Sequence, residues 1–306
     1  MKMLFTDYTE CCRLHPEDEA WMMEHGVEIL RCPDGEGYTG DPSQIEAIAC
    51  CHLFSHTPIE TFTSLKYVQG YTAGFEHMPM EYIRSHGMEF HNARDVYSIP
   101  IAEFAIGGLL MLYKQMRDFE REQRERRWNQ RHYLTELWGK SVLIVGAGSI
   151  GTEFARRFRA FDCSVTGLAR KAGDREHYDR VLPMDKLDEA LPAADVVVMC
   201  LPNNGETYHI MDGARFAKMK PGAYFINICR GAVVDEPALI EALESGHLGG
   251  AVLDVFETEP LPEDSPLWDM ENVIVTPHSS FGAENNDRRM ADVLKRNLEA
   301  SPLLKK

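Results

Sequence analysis

Short, continuous apolar runs recur along the chain and alternate with segments in which apolar residues return at helical spacing. The runs of the second half are the more apolar, and residues 142–145, Val-Leu-Ile-Val, are typical of them. Such runs are expected of strands buried on both faces of a parallel sheet, with crossover helices between them. The pattern therefore predicts an α/β fold with two doubly wound parallel sheets. We expect strands at 3–5, 27–30, 48–54, 67–71 and 88–91, and then at 141–145, 164–168, 196–201, 224–228, 250–253 and 273–275.

A helix is expected to begin near Pro100, between the two regions in which strands and helices alternate. Proline suits the first turn of a helix, and the apolar residues that follow recur at helical spacing. Residues 117–131 are charged but mixed in sign, which favours a solvated helix face or a subunit contact over a nucleic-acid arm. A further helical pattern covers residues 284–298. No Pro/Gly/Ser-rich linker is present, so any domain boundary is expected within ordered structure.

Composition and charge narrow the possible partners. A chain of 306 residues suggests two domains. Asp and Glu number 48 against 32 Lys and Arg, and the net charge of −16 argues against nucleic acid or an anionic membrane as the main partner. The most apolar stretch, residues 101–113, is 13 residues long, whereas a membrane span needs about 18 or more. The start of the sequence becomes polar too soon for a signal peptide.

The cysteines show neither CxxC pairs nor the Cys/His spacing of zinc sites. Most of them lie in or beside apolar runs, where cysteine usually acts as a small hydrophobic residue. We therefore expect a reduced, cytoplasmic protein without structural disulfides and without a bound metal. The eight positions are Cys11, Cys12, Cys32, Cys50, Cys51, Cys163, Cys200 and Cys229.

A glycine-rich hexamer follows the apolar strand 142–145 and precedes a helical pattern. This strand–turn–helix setting is the one that a dinucleotide-binding fingerprint requires. In such a fingerprint the first glycine permits a tight turn, the second lets a pyrophosphate approach the backbone, and the third allows close helix–strand packing. The N-terminus of the helix offers unpaired N–H groups to phosphate. The motif predicts a Rossmann dinucleotide-binding domain, with candidate cofactor-binding residues Gly146, Gly148, Ser149, Ile150 and Gly151.

The end of the next strand bears on the choice of cofactor. Proteins that bind NAD place a carboxylate there to hold the ribose 2′-OH, but strand 164–168 is followed by Ala169, Arg170 and Lys171. A carboxylate would repel a 2′-phosphate, whereas arginine can pair with it. We therefore expect a preference for NADP(H), with NAD(H) as a possible second cofactor. The alternative is that Arg170 and Lys171 are a solvent-exposed loop pair.

Three later strands end in side chains suited to chemistry on a 2-oxo acid. Ligands of doubly wound sheets bind beyond the carboxyl ends of the strands, and these segments carry Arg230, Glu259 and His278. A guanidinium suits a carboxylate and a 2-oxo oxygen, and an imidazole that titrates near neutral pH suits proton transfer. A carboxylate on the other ring nitrogen would orient the imidazole. Each residue also has a purely structural interpretation, as an ion-pair partner, a helix-start charge or a loop histidine.

Further sequence blocks follow the fingerprint in order: Leu201-Pro202-Asn203-Asn204-x-Glu206-Thr207, Met219-Lys220-Pro221-Gly222, Asn227-x-x-Arg230-Gly231, Asp254-Val255-Phe256-x-x-Glu259-Pro260 and Thr276-Pro277-His278. Together with the fingerprint, these blocks resemble the D-isomer-specific 2-hydroxyacid dehydrogenase family and its glyoxylate/hydroxypyruvate reductase-like members. The likeness covers the C-terminal two-thirds of the chain, while the N-terminal third matches more faintly. It implies that Arg230, Glu259 and His278 are catalytic, with His278 as general acid/base and Arg230 binding and polarising the substrate.

The resemblance also implies contacts around the reacting groups. It places Tyr71, Ala73 and Gly74 at the substrate carboxylate together with Arg230, although Glu76 stands where the family usually has Asp. Three nearby histidines are expected to be either exposed loop residues or determinants of substrate choice: His52, His56 and His77. Further implied cofactor contacts are Ser98, Leu201, Pro202, Thr207, Cys229 and Asp254.

The expected organisation is a smaller, flavodoxin-like substrate domain formed by residues 1–95 and 284–306, and a dinucleotide-binding domain formed by 96–283. The resemblance implies a homodimer through the helix that begins near Pro100, and Trp128 and Trp138 are expected either at that contact or in the core. The expected function is reduction of a small 2-oxo acid, such as glyoxylate or hydroxypyruvate, to a D-2-hydroxy acid. A D-3-phosphoglycerate dehydrogenase is the alternative enzyme, although residues 71–76 lack Arg or Lys for a phosphate. A non-catalytic dinucleotide-sensing corepressor is the alternative of another class.

Overall fold

The computed structural model describes residues 1–8 and 13–304, so the predictions for Cys11 and Cys12 lie outside the described residues. The chain divides into two units, which are described separately. Unit 1 comprises Met1–Tyr97 and Gly282–Lys306, and unit 2 comprises Ser98–Phe281. Each unit contains one parallel sheet, and the predicted α/β fold with two such sheets is confirmed.

Unit 1 is built on a five-stranded sheet. Its strands are β1 (Lys2–Asp7), β2 (Glu28–Pro33), β3 (Ala47–Cys50), β4 (Tyr67–Gly70) and β5 (Glu89–His91), and its helices are α1 (Pro16–Glu24), α2 (Leu53–His56), α3 (Met80–Ser85) and α10 (Asn286–Ala300). The strands lie in the order β2-β1-β3-β4-β5, and every pair is parallel. Strands β3 and β4 are buried along their whole length, as expected for the centre of a sheet covered on both faces.

The strand predicted at 48–54 ends early, at Cys50. The backbone N–H groups of Cys51 and His52 donate to the carboxylate of Asp34 rather than to a neighbouring strand. Leu53 then begins the short helix α2. The prediction from the continuous apolar run was wrong because Asp34, from another part of the sequence, accepts the two N–H groups that a longer strand would need.

Helix α10 packs on the sheet of unit 1. Asn297 donates to the buried side chain of Gln69 at 2.9 Å, and Ser301 donates to Glu89 at 2.7 Å. Arg289 donates to the carbonyl oxygen of Val96 at 2.7 Å. The apolar side of the helix is buried through Met290, Ala291, Val293, Leu294 and Leu298.

Unit 2 is built on a seven-stranded parallel sheet. Its strands are β6 (Ser141–Val145), β7 (Ser164–Ala169), β8 (Arg180–Pro183), β9 (Val196–Met199), β10 (Tyr224–Asn227), β11 (Gly250–Leu253) and β12 (Val273–Val275), and its helices are α4 (Ser98–Tyr113), α5 (Met116–Arg124), α6 (Ser149–Ala160), α7 (Leu187–Ala190), α8 (Gly213–Lys218) and α9 (Glu236–Glu244). The strand order is β12-β11-β10-β9-β6-β7-β8. Strand β8 was not expected from sequence, because this edge strand has no continuous apolar run.

The strand order of unit 2 reverses between β6 and β9. From β6 the chain adds β7 and β8 on one side, and from β9 it adds the remaining strands on the other. A reversal of this kind opens a crevice at the carboxyl ends of the two strands, where doubly wound sheets bind their ligands. The end of β6 is held against the end of β9, since the N–H of Cys200 donates to the carbonyl of Val145 at 2.8 Å.

The apolar helix α4 begins at Ser98, two residues before Pro100. It packs closely on the sheet, because a Cβ atom on Gly108 would lie 2.8 Å from Val252 of β11. The charged segment that follows is helical only as far as Arg124, and in it Arg131 pairs with Glu122 at 2.9 Å. Within residues 1–8 and 13–304, no helix has both the length and the apolar character needed to span a bilayer.

Candidate active site

His278 and Glu259 form a hydrogen-bonded pair beyond the end of β12. The Nδ1 atom of His278 lies 2.9 Å from Oε2 of Glu259, and the other carboxylate oxygen accepts the N–H of Phe256 at 3.0 Å. The His278 side chain is 44% exposed, and its Nε2 atom has no hydrogen-bond partner within the described part of the chain. The carboxylate thus fixes which nitrogen faces outward, since an ionised carboxylate can only accept.

A buried carboxylate, Asp254, holds the segment that carries His278. It is fully buried and accepts hydrogen bonds from the Thr276 hydroxyl at 2.6 Å and from the N–H groups of Ser279 and Ser280, each at 2.9 Å. The N–H of His278 donates to the carbonyl oxygen of Asp254 at 2.8 Å. His278 itself has a φ of +48°, a left-handed conformation that is uncommon outside glycine and needs support from its surroundings.

Arg230 lies in the turn that follows β10. Asn227 closes this turn by donating to the carbonyl of Arg230 at 3.1 Å and accepting the N–H of Cys229 at 3.3 Å. Arg230 is half-buried, and its guanidinium donates to the carbonyl of Cys229 at 2.6 Å. The side chain is therefore partly anchored beside the carboxyl end of a central strand.

The turn of Arg230 and the segment of Glu259 are in direct backbone contact. A Cβ atom on Gly231 would lie 1.9 Å from the carbonyl carbon of Phe256, so only glycine fits there. Glu236 and Glu257 strengthen the contact, because each accepts the backbone N–H of the other, at 3.1 and 3.2 Å. The structure thus brings the predicted Glu259 and His278 together directly and sets the Arg230 turn against the same segment.

The glycine hexamer forms the crevice end of β6 and the start of α6. Gly146 has a φ of +112°, and a Cβ atom on it would lie 2.4 Å from the carbonyl oxygen of Cys200. A Cβ atom on Gly151 would lie 2.3 Å from the carbonyl oxygen of Gly146. At Gly148, by contrast, a Cβ atom would meet nothing within 4 Å. The first and third glycines are thus required by packing, while the second faces open space at the N-terminus of α6.

Three cationic residues follow the end of β7. The carbonyl of Leu168 accepts the N–H groups of Gly146 and Ala147, at 3.0 and 2.8 Å, which ties the hexamer to the strand end. Arg170 and Lys171 follow at once; both are exposed and make no hydrogen bond or ion pair with the described residues. Sequence reasoning missed the third cation, Arg175, whose guanidinium donates to the carbonyl oxygen of Ala147. Its only signal in the sequence is a third basic residue soon after the other two.

Several other residues predicted to contact the cofactor form hydrogen bonds with neighbouring residues of unit 2. The hydroxyl oxygens of Ser98 and Ser149 lie 2.7 Å apart, which joins the starts of α4 and α6. The Thr207 hydroxyl donates to the carbonyl of Pro202 at 2.7 Å and accepts the N–H of Asn204 at 2.9 Å, so it shapes the turn after Leu201. Burial raises the pKa of the Cys229 thiol to about 11. This thiol stays protonated at neutral pH and is unsuited to act as a nucleophile.

The predicted substrate loop follows β4 in unit 1. Tyr71 is buried, and its carbonyl accepts the Tyr97 hydroxyl at 2.6 Å. Asn92 donates to the carbonyl of Ala73 at 2.6 Å, and Thr72 donates to the carbonyl of Gly74 at 2.7 Å. The backbone N–H groups of residues 72, 73 and 74 donate to no acceptor among the described residues. Successive N–H groups of this kind form a concavity suited to an anion.

Comparisons with known proteins assign the family. The family model for the D-isomer specific 2-hydroxyacid dehydrogenase NAD binding domain matches residues 106–280. A glyoxylate reductase of Thermofilum pendens is 35% identical over 245 residues, which are 78% of this chain and 72% of that protein. The chain belongs to the D-isomer-specific 2-hydroxyacid dehydrogenase family. The resemblance stated from sequence is thereby confirmed.

Solved structures of this dehydrogenase family agree over nearly the whole chain. A D-isomer specific 2-hydroxyacid dehydrogenase from Xanthobacter autotrophicus, in complex with NADPH and MES, has a TM-score of 0.77 and 29% identity and covers 98% of this chain and 95% of its own. An NADPH-dependent glyoxylate/hydroxypyruvate reductase from Sinorhizobium meliloti, in complex with citrate, has a TM-score of 0.76 and 27% identity, with 98% and 93% covered.

The residues of this dehydrogenase fit a nicotinamide dinucleotide. The open space at Gly148 faces the first turn of α6, whose N–H groups have no partner inside the helix and carry the positive end of its dipole. Such a turn holds a pyrophosphate without any charged side chain. The basic residues after β7 lie where the adenosine ribose binds in folds of this type.

Proposed function

We propose that this dehydrogenase reduces a small 2-oxo acid of the glyoxylate or hydroxypyruvate type to a D-2-hydroxy acid, with NADP(H) as the preferred cofactor. The observation that carries the proposal is the His278–Glu259 hydrogen bond of 2.9 Å, on a segment packed against the turn of Arg230. Arginine, carboxylate and histidine in this arrangement suit polarisation of a carbonyl and transfer of one proton. The same arrangement has no evident use in a protein that only senses a dinucleotide.

A nicotinamide dinucleotide held by the hexamer and the first turn of α6 would supply the hydride for the substrate C2 atom. In our proposal Arg230 binds the substrate carboxylate and the 2-oxo oxygen through its planar donors. His278 holds a proton on the outward-facing Nε2 and donates it to the same oxygen, which becomes the hydroxyl of the product. Glu259 keeps the imidazole oriented and stabilises its protonated form, so that positive charge faces the oxygen on which negative charge develops.

We assign a second contact with the substrate carboxylate to the loop at residues 71–74. Its support is the set of three backbone N–H groups without an acceptor in the described residues, together with the anchoring of the loop by Asn92. Donors fixed by the backbone bind an anion without losing side-chain entropy. The contact would recognise the carboxylate that all 2-oxo acids share and leave discrimination to other groups.

The preference for NADP(H) is supported by charge at the end of β7. Ala169 stands where a carboxylate would select the 2′-OH of NAD, and Arg170 and Lys171 follow it. Arg175 brings a third cation to the backbone of the hexamer. The similar structure from Xanthobacter autotrophicus is in complex with NADPH, and the similar reductase from Sinorhizobium meliloti is NADPH-dependent. Arginine pairs well with phosphate because its donors match two oxygens at once.

A spectrophotometric screen tests the proposal. The purified protein is incubated with NADPH or NADH and a panel containing glyoxylate, hydroxypyruvate, pyruvate and 3-phosphohydroxypyruvate, and absorbance of the reduced cofactor is followed. We expect the highest kcat/KM with NADPH and either glyoxylate or hydroxypyruvate. Negligible turnover with every acid would support a sensor instead, and a clear preference for NADH would contradict the proposed cofactor.

We also propose a homodimer that works in the cytoplasm. The segment after α5 supports the dimer, because it exposes Trp128 at 96%, Tyr133 at 95% and Trp138 at 68%, and clustered exposed aromatic residues mark association surfaces. The burial of Cys50, Cys163 and Cys229 among apolar residues agrees with cysteines that act as small hydrophobic residues in a reducing compartment. Light scattering after size exclusion tests the dimer, with Trp128→Ala expected to shift the mass toward the monomer.

A further inference from the structure

A second group of chemically active side chains lies in unit 1, at the carboxyl ends of β2, β3 and the loop after β4. Asp34, Cys51 and His52 place one potential ligand atom each within 4.8 Å of one another. His77 joins them from the loop side, with its ring centroid 5.4 Å from that of His52. None of these residues takes part in the proposed chemistry of Arg230, Glu259 and His278.

The distances from the Cys51 sulfur to two ring nitrogens are close to those of a tetrahedral metal centre. The Cys51 sulfur lies 3.7 Å from Nε2 of His52 and 3.8 Å from Nε2 of His77. Ligands at about 2.3 Å for sulfur and about 2.0 Å for nitrogen, spread tetrahedrally around Zn²⁺, would be separated by about 3.5–3.6 Å. The two observed distances exceed these values by only a few tenths of an ångström. The ring nitrogens of His52 and His77 lie farther apart than in such a centre, so binding also requires the exposed side chain of His77 to rotate toward His52.

Asp34 orients the His52 ring for binding a metal ion. Its buried carboxylate accepts from the His52 ring at Nδ1, 3.0 Å away, and from the His52 backbone N–H at 2.8 Å. The same carboxylate accepts the Cys51 N–H at 2.9 Å and the Thr6 hydroxyl. Because a carboxylate only accepts, the proton of His52 stays on Nδ1 and the lone pair of Nε2 points toward the sulfur. A carboxylate behind the histidine is the usual support of a metal-bound imidazole.

We propose that Cys51, His52 and His77 bind a divalent transition-metal ion, with Zn²⁺ as the preferred class, and that Asp34 positions His52. Binding replaces the thiol proton by the metal. One thiolate and two imidazoles suit a borderline-soft ion rather than Mg²⁺ or Ca²⁺. Both histidines are exposed, so the ion can enter from solvent and keep a fourth position for water or an exogenous ligand. His77 also lies 3.5 Å from the Thr72 hydroxyl, which places the ion beside the loop at residues 71–74.

Titration with Co²⁺ tests this site without reference to catalysis. The full-length protein, treated with a chelator and kept reduced by a phosphine, is titrated while thiolate-to-cobalt absorption and the visible bands of tetrahedral Co²⁺ are recorded. We expect one equivalent to bind, and added Zn²⁺ to abolish the bands. No tetrahedral spectrum with stoichiometric or excess Co²⁺ would overturn the proposal.

Variants identify the ligands. Cys51→Ser is expected to lose the thiolate band, and His52→Ala and His77→Ala to weaken Co²⁺ binding by about tenfold or more. His56→Ala, an exposed histidine on α2, and Cys32→Ser, a buried thiol of the same unit, are the matched controls and should bind as the parent does. A thiolate band that persists in Cys51→Ser, or equal weakening in His56→Ala, would overturn the assignment. If Cys51→Ser fails to fold, the two exposed histidine variants decide the question.

Discussion

Asp254 and His278 are joined through the backbone, since the N–H of His278 donates to the carbonyl oxygen of Asp254 at 2.8 Å. The carboxylate of the same aspartate receives the next two backbone N–H groups along the chain. A single buried residue therefore sets the position and the left-handed conformation of the histidine. This relationship separates the residue that performs proton transfer from the residue that holds it in place.

Asp254→Asn is expected to lower both stability and turnover. An amide has one acceptor oxygen instead of two, so at least one buried N–H group is left without a partner, at a cost of about 1–3 kcal/mol. Denaturant unfolding and steady-state kinetics measure the two effects. His278→Ala is the comparison, because it should reduce turnover while leaving the free energy of unfolding nearly unchanged. Equal stability of Asp254→Asn and the parent would remove Asp254 from this role.

His278→Ala is expected to lower kcat by about 10²–10⁴-fold, the usual contribution of general acid–base catalysis. Glu259→Gln should lower it by about 10–100-fold, since the imidazole loses its charged support. The double variant should be scarcely worse than His278→Ala alone, because the two residues act as one unit. Cofactor affinity, measured by fluorescence titration, should stay within about twofold in all three. Near-normal turnover of His278→Ala would exclude it as the proton donor.

Gly231→Ala tests the contact between the Arg230 turn and the Phe256–Glu257 peptide. A methyl group has no room there, and the forced displacement should cost about 1–3 kcal/mol of folding free energy and reduce kcat/KM. Gly107→Ala is the control, because a Cβ atom at this helical position meets nothing within 4 Å. That variant should be as stable as the parent or more stable by about 0.5–1 kcal/mol. Thermal unfolding of the two variants, side by side, measures the contrast.

Charge removal after β7 tests the cofactor preference. Arg170→Ala is expected to lower kcat/KM for NADPH by about 10–100-fold, the value of a charge-assisted hydrogen bond, and to leave that for NADH within about twofold. Arg175→Ala should act in the same direction but also weaken NADH, because this side chain supports the hexamer backbone. Lys186→Ala, a surface lysine paired with Glu189, serves as the control. If Arg170→Ala affects both cofactors equally, the 2′-phosphate assignment is wrong.

Acid stability should depend on Asp188. Hydrogen bonds from Lys218 and Arg215 hold the pKa of this carboxyl below its usual value. A lowered pKa in the folded state stabilises the protein above the unfolded-state pKa, and that contribution disappears as the pH falls through the folded-state pKa. The Tm of Asp188→Asn should therefore lie below that of the parent at pH 7 and converge with it in acid. Asp185→Asn, a nearby exposed carboxylate, should show no such convergence.

Local sequence patterns were sufficient to predict much of the fold. The continuous apolar runs indicate both parallel sheets, and the hexamer indicates its own strand–turn–helix because the glycine spacing and the flanking strand are contiguous. Strand β8 escaped prediction because an edge strand needs few apolar residues. The strand predicted through residue 54 ends before Cys51, because the backbone N–H of Cys51 donates to the carboxylate of Asp34, 17 residues earlier.

In the candidate site, too, some residues could be predicted from local sequence and others depend on contacts between distant segments. The residues Arg230, Glu259 and His278 could be named from family-like blocks, but nothing local indicates that a buried Asp254 holds the histidine or that Gly231 touches Phe256. Likewise two of the proposed metal ligands, Cys51 and His77, and the positioning residue Asp34 follow three separate strands, so no spacing rule for metal ligands applies to them. Such groupings arise only when parallel strands bring their carboxyl ends to one edge.

Unit 1 draws its last helix, α10, from beyond the whole of unit 2. During synthesis its sheet emerges first, but the surface that α10 covers stays bare until the ribosome has translated every intervening residue. Nascent domains ordinarily fold from the N-terminal end onward, whereas here all of unit 2 is synthesised before unit 1 is complete. One apolar face of the unit 1 sheet therefore stays exposed to solvent until α10 is synthesised and Met290, Leu294 and Leu298 pack on it.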